Sequence, residues 1–242
     1  MKLRTLGAAV AATTATLVLF TACGSSPQPP APPPPTSPAV ESPAPAPSPS
    51  ETPSASPSAS AQTGGLPAWA ATNTVVGDKL TTIKIGTTGV TVDVYQVGTT
   101  KATKDGMFVN PDNNQPIIKK GDTLVFVNYV FTNTGAEPVP MASLLVDMRA
   151  RYADWPWLQG MSGEATTALY NEMGVVSFAI KSNSGVNPPY ILAPGESYAW
   201  AENFGYEKGG SITFTASLTP AKADGSLDFD KRQTGEATAT TP

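Results

Sequence analysis

Histidine is absent from this 242-residue chain, and cysteine occurs once. Those two shortages remove Ser-His-Asp and Cys-His sites, any disulfide within a fold, and the usual zinc and copper ligand sets. Charge is sparse as well, at 14% of residues, and no basic run occurs, so neither nucleic acid nor an anionic lipid surface is an expected partner. The chain also lacks G-x-S-x-G, P-loop and S-x-x-K patterns. What it has in excess is proline, 25 in all, of which 14 fall between Pro27 and Pro57. That clustering divides the sequence into three parts.

The first part, residues 1–22, reads as a lipoprotein signal peptide. Lys2 and Arg4 precede an uncharged, mostly apolar stretch from Leu6 to Phe20 that ends in small residues. The stretch is short for a membrane span, which takes about 20 apolar residues. Phe20-Thr21-Ala22-Cys23 resembles the lipobox of bacterial lipoproteins, although Phe20 stands where an aliphatic residue is usual. The resemblance implies that Cys23 is diacylated and becomes the new N-terminus. Nothing around Cys23 is apolar enough to fold over it, because Gly24 onward is Ser, Pro, Gln and Ala. Two acyl chains, each contributing about 0.8 kcal/mol per buried CH₂, hold a protein on a bilayer far more firmly than one does. The expected location is therefore extracytoplasmic, with the cell membrane as a partner through the lipid on Cys23.

Residues 23–65 form the second part, the lipidated cysteine and a Pro/Ser/Ala-rich linker in which only Glu41 and Glu51 are charged. So little apolar surface cannot offset the entropy of ordering, and the composition predicts a disordered tether tending to polyproline II. About forty residues at about 3.1 Å each would reach on the order of 120 Å if fully extended. No N-x-[ST] acceptor is present in the chain.

The third part, residues 66–242, is the expected folded domain. Lys2, Arg4, Glu41 and Glu51 all precede it, which leaves 13 Lys/Arg against 17 Asp/Glu and a formal charge of −4. Period-two alternation dominates it. Ile83 and Ile85 face Val90, Val92 and Val94 across a turn from Gly86 to Gly89, which predicts a hairpin. Val125, Val127, Tyr129 and Phe131 make an unbroken apolar face on the strongest strand, whose other face carries Leu124, Phe126 and Val130. Leu144, Val146, Met148, Ala150 and Tyr152 are expected inward, with Asp147, Arg149 and Arg151 outward. Val176, Phe178 and Ile180 predict a fifth strand, Tyr198 and Trp200 a sixth, and Ile212, Phe214, Ala216 and Leu218 a seventh. One short helix is expected around Glu164 to Met173, stopped by Gly174. The last residues read as a polar C-terminal tail. The fold class is all-β: an antiparallel immunoglobulin-like β-sandwich of about seven strands with one short helix.

The motifs "GDTLVFVNYVFTNTGAEPV", "ILAPGESYAW" and "SITFTASL" resemble the telokin-like, immunoglobulin-fold lipoprotein domains of unknown function (DUF4352-like) of bacterial surfaces. The resemblance covers roughly Gly77 to Pro220, with a departure around Asp154 to Asn171. It implies fold and surface location, and brings no catalytic residues with it.

Chemistry in the domain is thin. Asp147, Asp154 and Glu164 are the carboxylates a wall-polymer hydrolase would draw on, but no spacing singles out a pair. Asn110 to Gln115 starts like a calcium loop, yet Gln115 stands where that loop needs Gly, so it reads as a turn. Asp228 and Asp230 on one strand face would make a weak cation site. The scattered methionines read as core filling rather than a copper site. No cofactor and no metal are expected. Trp155 and Trp157 flank a proline that disfavours sheet pairing, which puts both indoles on a loop as candidate ligand-binding residues. Core packing of the same two indoles, for example over Leu124, Phe126 and Val130, is the competing expectation. The functional expectation is a non-catalytic lipoprotein presenting a binding domain to an envelope protein or a cell-wall glycan. The alternatives are a carboxylate-dependent enzyme on wall polymer and an accessory docking subunit of a membrane complex. A concave acidic pair on the surface favours the enzyme, an aromatic groove the binder, and a flat apolar patch the docking subunit.

Overall fold

A computed structural model describes residues 59–60, 65–72, 75–154 and 167–242. All belong to one compact unit, Pro53–Pro242. The expected lipidation site Cys23 and the indoles of Trp155 and Trp157 lie outside the described residues, as does Glu164.

Two short strands, β1 (Ala59–Ser60) and β2 (Val75–Val76), pair antiparallel with each other. The sandwich follows: β3 (Asp78–Lys84), β4 (Val90–Lys101), β5 (Thr123–Asn133), β6 (Val139–Tyr152), helix α1 (Thr167–Glu172), β7 (Tyr190–Leu192), β8 (Ser197–Gly205), β9 (Ser211–Pro220) and β10 (Gln233–Thr240). One four-stranded sheet runs β3-β4-β5-β8 and the other β10-β9-β6-β7, with every pair antiparallel. The chain changes sheet between β5 and β6, between β7 and β8, and between β8 and β9, which is the Greek-key wiring of an immunoglobulin-like sandwich. The expected hairpin is β3–β4, closed by the Ile85 N–H donating to Val90 O at 3.0 Å.

Alternation explains the core. Val125, Val127, Tyr129 and Phe131 of β5 meet Ile212, Phe214, Ala216 and Leu218 of β9 between the sheets, all buried. Trp69 closes one flank, with its ring 5.3 Å from Tyr190 and 5.1 Å from Tyr198 and its Nε1–H donating to Ile191 O at 2.9 Å. The second face of β5 is also covered. Tyr170 of α1 meets Phe126 edge-on at 5.0 Å, Ile118 and Ala102 pack on Leu124, and Ala199 packs on Val130. These contacts give α1, a helix of six residues, its reason to form.

Asn133 ties the two resemblance motifs together. Its fully buried side-chain amide donates to Leu192 O at 2.9 Å and Glu137 O at 2.8 Å and accepts from Gly135 N–H at 2.9 Å. The Gly195 N–H donates to Asn133 O at 2.8 Å, so the end of β5 and the β7–β8 turn form one latch. A buried amide with every partner supplied specifies this geometry as well as stabilising it.

Four expectations are corrected. Residues 176–180 are not a strand: Val176 O accepts from Ala201 N–H of β8, while Ala179 O and Lys181 N–H bond the segment carrying Trp69. Its hydrogen bonds go to different neighbours, so the stretch crosses between them and turns Phe178 outward, 77% exposed. Leu144 is likewise outward, at 70% exposure. The β6–β9 register jumps from Met141 opposite Pro220 to Val146 opposite Leu218, so four residues of β6 face Thr219 alone. Leu145, at φ 51°, turns the chain within this bulge and is itself buried, which restores the inward phase at Val146. The polar C-terminal tail is the edge strand β10, paired with β9 from Gln233 to Thr240. Its alternation is small against polar, Gly235, Ala237 and Ala239 lying toward the core, and it carries no large apolar residue to announce it. Finally, Asp228 and Asp230 do not share a strand face. Asp228 caps a 3₁₀ turn, Phe229–Lys231, that contains Asp230, and Asp228 pairs with Lys231 at 3.1 Å.

Candidate functional site

The bulge in β6 places Leu144 between two surface clefts. On one side lies an open groove of about 460 Å³, walled by Leu144, Val146 and Met148 of β6, by Phe178 and Ile180 of the crossing segment, and by Trp200 of β8. Past Met141, β6 has lost β7 as its neighbour, which leaves room for this groove beside the strand. On the other side is a smaller and more enclosed cleft of about 260 Å³, where Leu144 and Leu145 meet Leu227 and Phe229, with Arg149 and Arg232 also in its lining. Leu144, Phe178 and Phe229 are each at least 66% exposed. Large apolar side chains presented together around concave surface mark a recognition site rather than scattered surface hydrophobics. Leu145, whose left-handed backbone is uncommon for a leucine, is what holds the ledge in place.

An acid stands behind the groove. Tyr198, Trp200, Glu202 and Phe204 occupy the inward positions of β8, so a carboxyl takes a core position beside apolar neighbours. The Tyr129 hydroxyl of β5 donates to Glu202 Oε1. Burial raises the Glu202 carboxyl to about 7, against the lowering effect of that hydrogen bond, and the charge of Asp147 on the groove wall raises it further. Burial also drives the Tyr129 hydroxyl well above its ordinary value, with Glu202 adding to the effect. This pair was missed in the sequence, although the signal was there: strict alternation from Tyr198 puts Glu202 inside.

The sequence-level carboxylates are not assembled. Asp147 is exposed and ion-pairs with Arg149 at 3.4 Å, and Asp154 interacts with Glu207. Asn110 to Gln115 is the expected turn: Asn110 Oδ1 accepts from Asp112 N–H at 2.8 Å and Asn113 Oδ1 from Gln115 N–H at 2.9 Å. Among the described residues no cluster of acids can hold a metal ion, and no helix is long and apolar enough to cross a membrane. Met141 and Met148 are core residues, while Met107 is 81% exposed, so the methionines do not converge. A larger depression of about 530 Å³ opens at the β3–β4 and β5–β6 turns. Turn residues and charged side chains such as Asp230 and Lys231 form much of its lining, and none of the exposed large apolar residues is in it.

No family model matches the chain, and no curated protein does. Two solved structures are similar to part of it. One is a candidate lipoprotein of Bacillus subtilis, 14% identical, with a TM-score of 0.31, over 64% of this chain and 38% of that one. The other is a Listeria monocytogenes protein of unknown function, 10% identical, with a TM-score of 0.34, over 69% of this chain and 83% of that one. The present chain thus spans well under half the length of the Bacillus protein.

Proposed function

We propose that this chain is an extracytoplasmic lipoprotein, held on the membrane by lipid on Cys23, whose sandwich is a non-catalytic module that docks an envelope protein at the ledge formed by Leu144 and Phe178. The observation that carries this reading is the pair of exposed apolar side chains over a groove of about 460 Å³. A soluble domain keeps such residues outward at a cost in solubility, and a partner's apolar side chain offsets that cost on binding. An aromatic-walled groove is also the feature that separates a binder from a carboxylate enzyme, whose paired acids would have to face solvent together.

Exchange of both Leu144 and Phe178 for Ser tests the docking reading. Because both are exposed, stability is expected to stay within about 0.5 kcal/mol of the parent by chemical denaturation. Retention on an isolated envelope fraction is expected to fall severalfold. Unchanged retention removes the ledge from the account. The anchor is tested separately: Cys23→Ala is expected to abolish labelling by an acyl analogue and to move the protein out of the membrane fraction. Labelling that persists in this variant contradicts the lipidation reading.

A further inference from the structure

The chemistry of the docked partner can be narrowed by where the arginines are. The chain has four, Arg4, Arg149, Arg151 and Arg232, and two of the three in the folded domain, Arg149 and Arg232, line one cleft with Leu144. Arg149 and Arg151 project from the outward face of β6, and Arg232 reaches the same smaller cleft as Arg149 from the turn before β10. The domain as a whole carries four more acids than cations, so this face runs against its overall charge.

Little on that face answers the three guanidiniums. Asp147 reaches Arg149 at 3.4 Å in an exposed pair, the kind that contributes little and is easily exchanged. Among the described residues neither Arg232 nor Asp230 of the preceding turn makes an ion pair, and Asp228 of that turn is taken by Lys231. The next acid on the outer face, Glu236, faces Arg149 only across Thr215 of β9. That is two strand spacings, about 10 Å. A planar guanidinium fork is the group best matched to a carboxylate, and here two of them line the smaller cleft beside Leu144, together with Leu227 and Phe229.

We infer that the partner segment is an acidic peptide with interleaved apolar side chains, its carboxylates on Arg149 and Arg232 and its apolar residues in the clefts beside Leu144. This rests on the docking reading above. A polyanion without apolar groups would leave Leu144, Phe178 and Phe229 uncovered, and a basic segment would face three arginines.

The test uses the folded protein with synthetic probes in a titration at low and moderate salt. An acetylated hexapeptide alternating Glu with Phe and Leu is the primary probe; its Lys-for-Glu and Ser-for-Phe/Leu counterparts and inorganic polyphosphate are the comparisons. The acidic apolar peptide is expected to bind, to weaken as salt rises, and to lose at least tenfold in affinity in the Arg149→Gln, Arg232→Gln double variant. The Lys and Ser peptides are expected to bind at least tenfold more weakly. The inference is overturned if the acidic apolar peptide fails to bind, if the Lys peptide or polyphosphate binds as well, or if the double variant binds unchanged. Both arginines are exposed, so the double variant is expected to fold, and its thermal midpoint is the check. The two readings fail separately. If the peptide result is negative while loss of Leu144 and Phe178 still reduces envelope retention, docking stands and the acidic chemistry falls.

Discussion

Exchange of Gly235 for valine is expected to lower the unfolding midpoint by roughly 10 °C, from a loss of about 3 kcal/mol in a domain of this size. The reason is a close approach of the two sheets at their shared edge. Gly235 sits in β10 opposite Ala216, and a Cβ there would lie 2.0 Å from Lys84 O and 3.0 Å from Ile83 Cγ2 of β3. The obstacle is backbone, which cannot rotate away as a side-chain tip can. Either β10 leaves β9 or β3 shifts, and Ala237 and Ala239, which pack on the core, go with β10. Thr234→Val is the control, since Thr234 is exposed on the same strand and adds no backbone contact. Equal midpoints for the two variants would show that β10 does not close this edge.

The second large effect is a pH dependence. Folding raises the Glu202 carboxyl from 4.5 to about 7, so between those values the unfolded chain releases a proton that the folded domain keeps. The slope of stability with pH follows the difference in bound protons, unfolded minus folded, and is negative here. Glu202 therefore contributes its full share only below about 4.5, and that share is lost as pH rises through 7. The span is on the order of 3 kcal/mol, at 1.36 kcal/mol per pKa unit. Glu202→Gln keeps an acceptor for Tyr129 and removes the titration. It is expected to match the parent near pH 4.5 and to be more stable than it by about 3 kcal/mol at pH 8. The groups acting on Glu202 are Tyr129 on β5 and Asp147 on β6, while Tyr170 of α1, on the other face of the sheet, feels its charge. Of these, Asp147 raises the Glu202 carboxyl, so Asp147→Asn is expected to end the fall at a slightly lower pH and to make it slightly smaller. A pH-independent difference between Glu202→Gln and the parent would place the carboxyl in water.

Period-two patterning made most of the sandwich legible, because β4, β5, β8 and β9 each bury large side chains at alternate positions. The failures share a cause. β10 alternates glycine and alanine with polar residues, so its burial depends on a neighbouring strand rather than on its own apolarity. Leu144 belongs to an alternating run whose phase is reset by a bulge, and a bulge is a property of two strands in register. Val176, Phe178 and Ile180 alternate without one continuous partner strand, since Val176 bonds β8 while Ile180 bridges Ala70. The candidate site lies where these failures meet. Leu144 and Phe178 looked like core residues, and their being outward is visible only once β6 and the crossing segment are placed. Trp155 and Trp157, the aromatic pair chosen from the sequence, lie outside the described residues. Arg149 was read correctly as outward on β6, but its company with Arg232 is a tertiary fact, created by the turn at Phe229–Lys231.

Site-specific photocrosslinking in intact cells tests the docking claim most directly. A photoreactive phenylalanine analogue at position 178 is compared with one at Asn113, exposed in the turn Asn110–Gln115, which lines neither cleft. The account predicts a discrete adduct with an envelope protein from position 178, lost when Leu144 is also Ser, and none from position 113. Adducts from both positions alike, or from neither, would contradict it.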